Sequence, residues 1–281
     1  MVEPITGAVV AKAMGKNSPE TQRAISNLMI RLFGPSADAI GEALGRYTSY
    51  RLRNVGRIAE RADFKSDSDN QSAANPRVAH VLLDEGSYCD DEVMIDYLGG
   101  LLAASRTPSG RDDRAATWSS LVTSLSSLQI RAHYLLYREW AARLHDVGSI
   151  NLGLDSGRKV AQMNVKLEEF ITCLLVGDEM ESQAALTHAV PGLFRVGLLG
   201  GSYRYGAKGA VAAPTSEFEF LLVVEPSAAG MELYGWAQGL PGLNPHEFTS
   251  KAAVFNPETP IPRIEGIELP LLPKSDPKAT E

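Results

Sequence analysis

Four sets of residues have the types that catalysis or metal binding uses, and each answers to a simpler account. Gly201-Ser-Tyr-Arg-Tyr-Gly206-Ala-Lys208 is the nearest approach to a phosphate loop. Such a loop needs glycine, four residues, then Gly-Lys-Ser/Thr opening a helix, so that successive backbone N–H groups cradle the phosphates. Here Ala207 is inserted, no hydroxyl residue follows Lys208, and the surrounding pattern predicts a hairpin. Gly200-Gly-Ser202 lacks the closing glycine of a serine-hydrolase elbow. His80, His133, His145, His188 and His246 are scattered, none beside a second histidine or a carboxylate at helical ligand spacing. The run Asp90, Asp91, Glu92 and Asp96 has the charge for a cation. Acids that open a helix, however, cap its free N–H groups and complement its dipole. Cys89 and Cys173 read as small buried hydrophobes. No catalytic residue, metal, cofactor or small-molecule substrate is therefore expected. An enzyme with an unrecognised site is the rival, and its mark would be a pocket holding two carboxylates of shifted pKa.

Two further sets suit recognition. Arg53, Arg57 and Arg61 recur at i,i+4 intervals and share one helix face. Like charges so spaced repel by roughly 0.2–0.5 kcal/mol per pair on an isolated helix. The row therefore predicts an acidic protein partner, a second copy of this chain included; a solvated face interleaved with Glu60 and Asp63 is the plainer alternative. Gln183, His188 and Arg195 lie on the helix that would enter the major groove if residues 127–238 bound DNA.

Composition narrows the class. The chain has 281 residues, 44% hydrophobic and 22% charged, enough to bury the core of one or two domains. A net charge of -7 argues against a dedicated nucleic-acid module, whose grip on phosphate needs surplus Lys and Arg. Residues 1–65 hold 10 basic against 6 acidic side chains, residues 66–145 hold 7 against 11, and residues 146–281 hold 10 against 17. Opposed charge of this kind favours electrostatic self-association. Two cysteines are too few for a disulfide framework or a zinc cluster. No apolar run reaches about 18 residues and no leader pattern opens the chain, so a cytoplasmic protein without a membrane span is expected.

The elements that must position these residues are mostly helices. Residues 18–33 read as one, capped by Ser18, with Pro19 first and Ile25, Leu28, Met29 and Leu32 in a stripe. A second begins near Ser36 or Asp38 and runs to about Phe64, with Ile40, Leu44, Tyr47, Leu52, Val55 and Ile58 as its apolar set. Residues 65–75 form a polar linker, Pro76 opens a helix stopped by Gly86, and Asp90 or Ser87 caps an acidic-opening helix over 90–106. Gly99-Gly100 within it costs roughly 1 kcal/mol per glycine against alanine, tolerated most easily where another helix packs closely. Helices follow over 112–126, 127–145, 158–176 and part of 179–199, Pro191 requiring a kink or a helix start. Tyr203–Tyr205 and Phe218–Val224 read as strands of a hairpin, and Pro226-Ser227 starts a last helix. Residues 239–281 carry eight prolines and read as an extended tail, disordered from Lys274.

The residues also resemble a known family. Phe33-Gly-Pro-Ser-Ala-Asp-Ala-Ile-Gly-Glu and Tyr50-Arg-Leu-Arg-Asn-Val-Gly-Arg-Ile look like the start of the Abi-alpha (abortive infection) family. Asn75-Pro76-Arg77-Val78, the acidic helix Asp90-Asp-Glu-Val-Met-Ile-Asp-Tyr-Leu-Gly-Gly-Leu-Leu-Ala-Ala-Ser, and Leu125-Ser-Ser-Leu-Gln-Ile-Arg-Ala continue the likeness. Pro226-Ser-Ala-Ala-Gly230-Met-Glu-Leu matches the family's closing turn and helix, so the resemblance spans roughly residues 30–236. It implies a bacterial protein of phage defence and carries over no catalytic residue. The expected architecture is mainly α with a small α+β part: a helical region over 1–126, a winged-helix-like domain over 127–238 and the tail over 239–281. The expected function is non-enzymatic, an interaction or sensor protein, with a winged-helix transcription regulator as the alternative.

Overall fold

The computed structural model describes residues 37–66, 73–145, 147, 149–175, 180–244 and 261–272, with side chains from Ser49 onward. The helix expected at 18–33, His246, most of the polar linker and the chain from Lys274 lie outside them. The described chain is mainly helical, with two small antiparallel sheets. In order come α1 (Ala37–Phe64), β1 (Ala73–Ala74), α2 (Pro76–Gly86), α3 (Glu92–Ala104), β2 (Arg106–Thr107), α4 (Ala115–Ser124) and α5 (Ser127–Leu144). Then follow α6 (Asp155–Val160), β3 (Met163–Lys166), α7 (Leu167–Leu174), α8 (Ser182–Arg195), β4 (Leu199–Ala207), β5 (Phe220–Pro226), α9 (Ala228–Ala237) and β6 (Ile267–Glu268).

Local chemistry sets the helix starts. Asn75 Oδ1 accepts the Arg77 N–H, and Pro76 takes the first position of α2, where its missing N–H costs nothing. Asp91, rather than Asp90 or Ser87, caps α3 by accepting the Met94 N–H at 2.9 Å. Ser87 instead ends α2, its carbonyl accepting from the Asn54 amide. Ser126 and Gln129 form a reciprocal capping box on α5, and Ser227 Oγ accepts the Gly230 N–H at the start of α9.

Helix α3 is the axis of the core. Every residue from Val93 to Ala104 is buried, so the stripe of Val93, Met94, Tyr97, Leu98, Leu101 and Leu102 is only part of a helix enclosed on all sides. The glycine pair is where neighbours close in: a Cβ on Gly100 would sit 1.7 Å from the Ala237 carbonyl oxygen. Most of the buried hydrophobic residues from Ile58 to Ile264 form one cluster, and Val211, Leu221 and Val223 form a second, smaller one. Lys65, at the start of the expected linker, is itself anchored: its ammonium donates to Asp96 Oδ2 at 2.6 Å and to the Ala237 carbonyl at 2.7 Å. At the linker's other end Ala73 and Ala74 pair with Thr107 and Arg106.

The larger sheet has the order β4-β5-β3-β6, all antiparallel. It corrects the helix expected over 158–176. Met163–Lys166 leave the helical pattern because β5 and β6 offer them two ladders, with Met163 and Val165 pointing into the core; partners distant in sequence overrule local periodicity. Pro191 lies inside α8 rather than at its start, removing the N–H that would bond the Thr187 carbonyl. The tail returns to the body where it is described. Ile261 and Ile264 are buried, β6 pairs with β3, and Arg138 donates to the carbonyls of Ile261 and Pro262 at 2.9 and 2.7 Å. Glu169 accepts from the Glu265 and Gly266 N–H groups, and those bonds, the Gly266 one foremost, lower its pKa.

Candidate functional site

The acidic opening of α3 is a neutralised hub. Asp91 pairs with Arg131, Glu92 with Arg57 and, at 3.8 Å, with Arg61, and Asp96 with Lys65 at 2.6 Å. Asp90 stays exposed and outside it. Three carboxylates that each hold a cation have no need of a metal, and no group of three or more His, Cys, Asp or Glu among the described residues is placed to bind one. For Lys65, burial outweighs the pull of Asp96 and lowers the ammonium pKa.

The arginine row is thereby divided. Arg57 and Arg61 face inward to Glu92 on α3, while Arg53 is exposed, its guanidinium 5.5 Å from the Tyr50 ring centroid. Two of the three arginines thus already pair with a carboxylate of the same chain.

His133 is a fully buried titratable group. Its Nδ1 lies 2.7 Å from the Tyr97 hydroxyl, its Nε2 lies 3.1 Å from the Gly230 carbonyl, and Tyr137 stacks on its ring at 4.3 Å. A carbonyl only accepts, so Nε2 carries the proton and Nδ1 accepts from Tyr97. Burial pushes its pKa down to about 3. Both nitrogens are occupied and the ring is fully buried, which suits a structural bridge between α3, α5 and α9. His80 and His145 are exposed on the surface, the latter 2.9 Å from its own helix carbonyl Ala142. Both thiols are free, with pKa raised by burial.

The outward side of α8 and the β4–β5 hairpin form the other candidate. Gln183 and Arg195 are exposed at opposite ends of α8. Twelve residues of helix rise about 18 Å, so the two do not form one patch. His188 is exposed but committed, its Nε2 2.8 Å from Ser126 Oγ, the cap of α5. Near Arg195 the exposed side chains include aromatic and aliphatic ones. Phe194 is 40% exposed and meets Tyr203 edge-on at 5.2 Å, Tyr203 stacks on Tyr205, and Val196 and Phe220 are exposed. Glu181 caps the N-terminus of α8 by accepting the Gln183 and Ala184 N–H groups.

One polar group escaped the sequence reading. Glu225 is buried on β5 with Oε2 unpartnered, and Arg158 Nε and Arg204 Nε are likewise buried without partners. Burial, then the charge of Asp155, raises the Glu225 pKa against the pull of Arg158, Lys159 and Arg204. The visible signal is the pair Gly200-Gly201 in β4: Gly201 has φ +54°, and a Cβ there would lie 1.8 Å from Glu225 Oε2. The glycine at 201, which does not complete a hydrolase elbow, leaves room for the Glu225 carboxylate.

No helix among the described residues is long and apolar enough to cross a membrane. Comparison with protein-family models, curated proteins and solved structures returned no match.

Proposed function

We propose that this chain is a non-enzymatic interaction protein of bacterial phage defence, of the Abi-alpha kind, in which residues 127–238 act as a winged-helix-like unit turned to protein contacts. The succession α5, α6, β3, α7, α8, β4, β5, with β5 between β4 and β3, supports the winged-helix reading. A recognition helix reads bases from its N-terminal residues with Arg, Lys, Asn or Gln. Here that end offers Gln183 beside the carboxylate of Glu181, and the rest of the helix has Arg195 as its one Arg or Lys. The observation that carries the proposal is the exposed Phe194 set edge-on against Tyr203, which stacks on Tyr205, with Val196 and Phe220 also exposed, where a DNA reader would be basic.

The test pairs protection with DNA binding. Bacteria carrying the intact gene are challenged with a phage panel, alongside Phe194→Asp and Arg195→Ala variants. The expected result is protection lost with Phe194→Asp, kept with Arg195→Ala, and no gel shift at about 0.15 M salt. A shift abolished by Arg195→Ala or Gln183→Ala would establish the transcription-regulator alternative. No protection against any phage would remove the defence reading.

A further inference from the structure

The outward face of α1 departs from the expected pattern in one respect: Leu52, counted in its apolar set, is 64% exposed, while Ile58 is fully buried. On the same face stand the exposed Ser49, Arg53, Glu60 and Asp63, the half-buried Ala59, and Gly56, whose missing Cβ would meet nothing within 4 Å. Asp63 pairs with Arg106 at 2.7 Å, whereas Arg53 and Glu60 join no ion pair among the described residues.

We propose that this face pairs antiparallel with the same face of a second copy, about a two-fold axis at Gly56. Self-complementarity is what points to a second copy rather than a foreign partner. In an isologous pair, residues equally far before and after the axis stand level, and residues on the same flank of the stripe meet. At 3.6 residues per turn, Arg53 and Glu60 fall on one flank of Gly56, and Leu52 and Ala59 fall on the other. Arg53 therefore meets Glu60 of the second copy with an offset of one residue, about 1.5 Å along the axis. Leu52 drops onto Ala59 and the open surface of Gly56, where the absent side chain lets the two backbones approach. The neighbouring Arg57 and Arg61, held by Glu92, form the inner border of the pairing face. One helix face falls short of the roughly 1,200 Å² from which stable interfaces start, so a weak, concentration-dependent dimer is expected.

The α1 pairing face is separate from the α8 surface, and the two stand or fall separately. The test is light scattering coupled to size exclusion on the full chain, over a concentration series at low and high salt. The expected result is a monomer–dimer equilibrium weakened by salt, with Leu52→Glu and Arg53→Glu each raising the dissociation constant at least about tenfold. The double variant Arg53→Glu/Glu60→Arg restores it, because the pair is rebuilt with reversed sign. All three positions are exposed, and circular dichroism checks that each variant keeps its helix content. A monomer throughout, a dimer indifferent to Leu52→Glu, or a double variant no better than the singles would overturn the pairing. Phage protection retained by a strictly monomeric Leu52→Glu chain would leave the α8 surface standing alone.

Discussion

Helices α3 and α8 start alike and end in opposite roles. Both open on a carboxylate that accepts backbone N–H groups, Asp91 in one and Glu181 in the other. In α3 the remaining acids, Glu92 and Asp96, each find a cation, and every later residue is buried. In α8 one side is buried through Ala185, Leu186, Ala189, Val190 and Leu193, while the other leaves Phe194 in solvent. A charged residue in this protein is thus a poor guide to function, since most of those around α3 are neutralised within the chain. Apolar side chains left outside are the better guide, because burial would have stabilised each of them by roughly 1.5–3 kcal/mol.

That contrast can be broken at several points. The largest effect is expected at Asp96→Ala, which strands the buried Lys65 ammonium and should cost about 3–5 kcal/mol in urea unfolding. A loss below about 1 kcal/mol would mean that the pair is solvated. Gly100→Ala follows, at about 1–3 kcal/mol, because its methyl would press on the Ala237 carbonyl; an unchanged midpoint would show that α9 sits farther from α3. Tyr97→Phe leaves His133 Nδ1 without its donor and should cost about 1–3 kcal/mol by the same assay.

Acid should act through His133 as well. With a folded pKa of about 3 and an unfolded value near 6.5, it binds fewer protons folded than unfolded. It contributes nothing above pH 6.5, and stability falls as pH drops from there toward 3, by about 1.4 kcal/mol per unit. The stability gap between the wild type and His133→Asn should therefore narrow at that rate, and a constant gap would place the imidazole in contact with water. The smallest stability effect is expected on α8, where Phe194→Asp should change unfolding by no more than about 0.5 kcal/mol while abolishing protection. A large loss there would turn the aromatic surface from a docking site into part of the core.

Much of the fold was legible where the controlling interaction is local. The starts of α2, α5 and α9 follow from Pro76, Ser126 and Ser227, whose chemistry acts within three or four residues. Gly99-Gly100 announced a close neighbour without saying which. What stayed hidden depends on distant residues: β3 exists because β5 and β6 flank it, and residues 261–268 dock because Arg138 and Glu169 wait for them more than 90 positions upstream. The arginine row shows the same limit at the candidate surface. Its spacing placed three side chains near one face, yet whether each was free depended on Glu92, which lies on another helix.

The sequence by itself therefore determined a mainly helical chain with a hairpin near residue 205, because caps, turns and amphipathic period are set by neighbours along the chain. The tertiary structure alone decided which charges are spent inside the protein and which aromatic and aliphatic residues remain outside. Ion pairs and burial are formed between elements, and the distance between elements is written in no single segment.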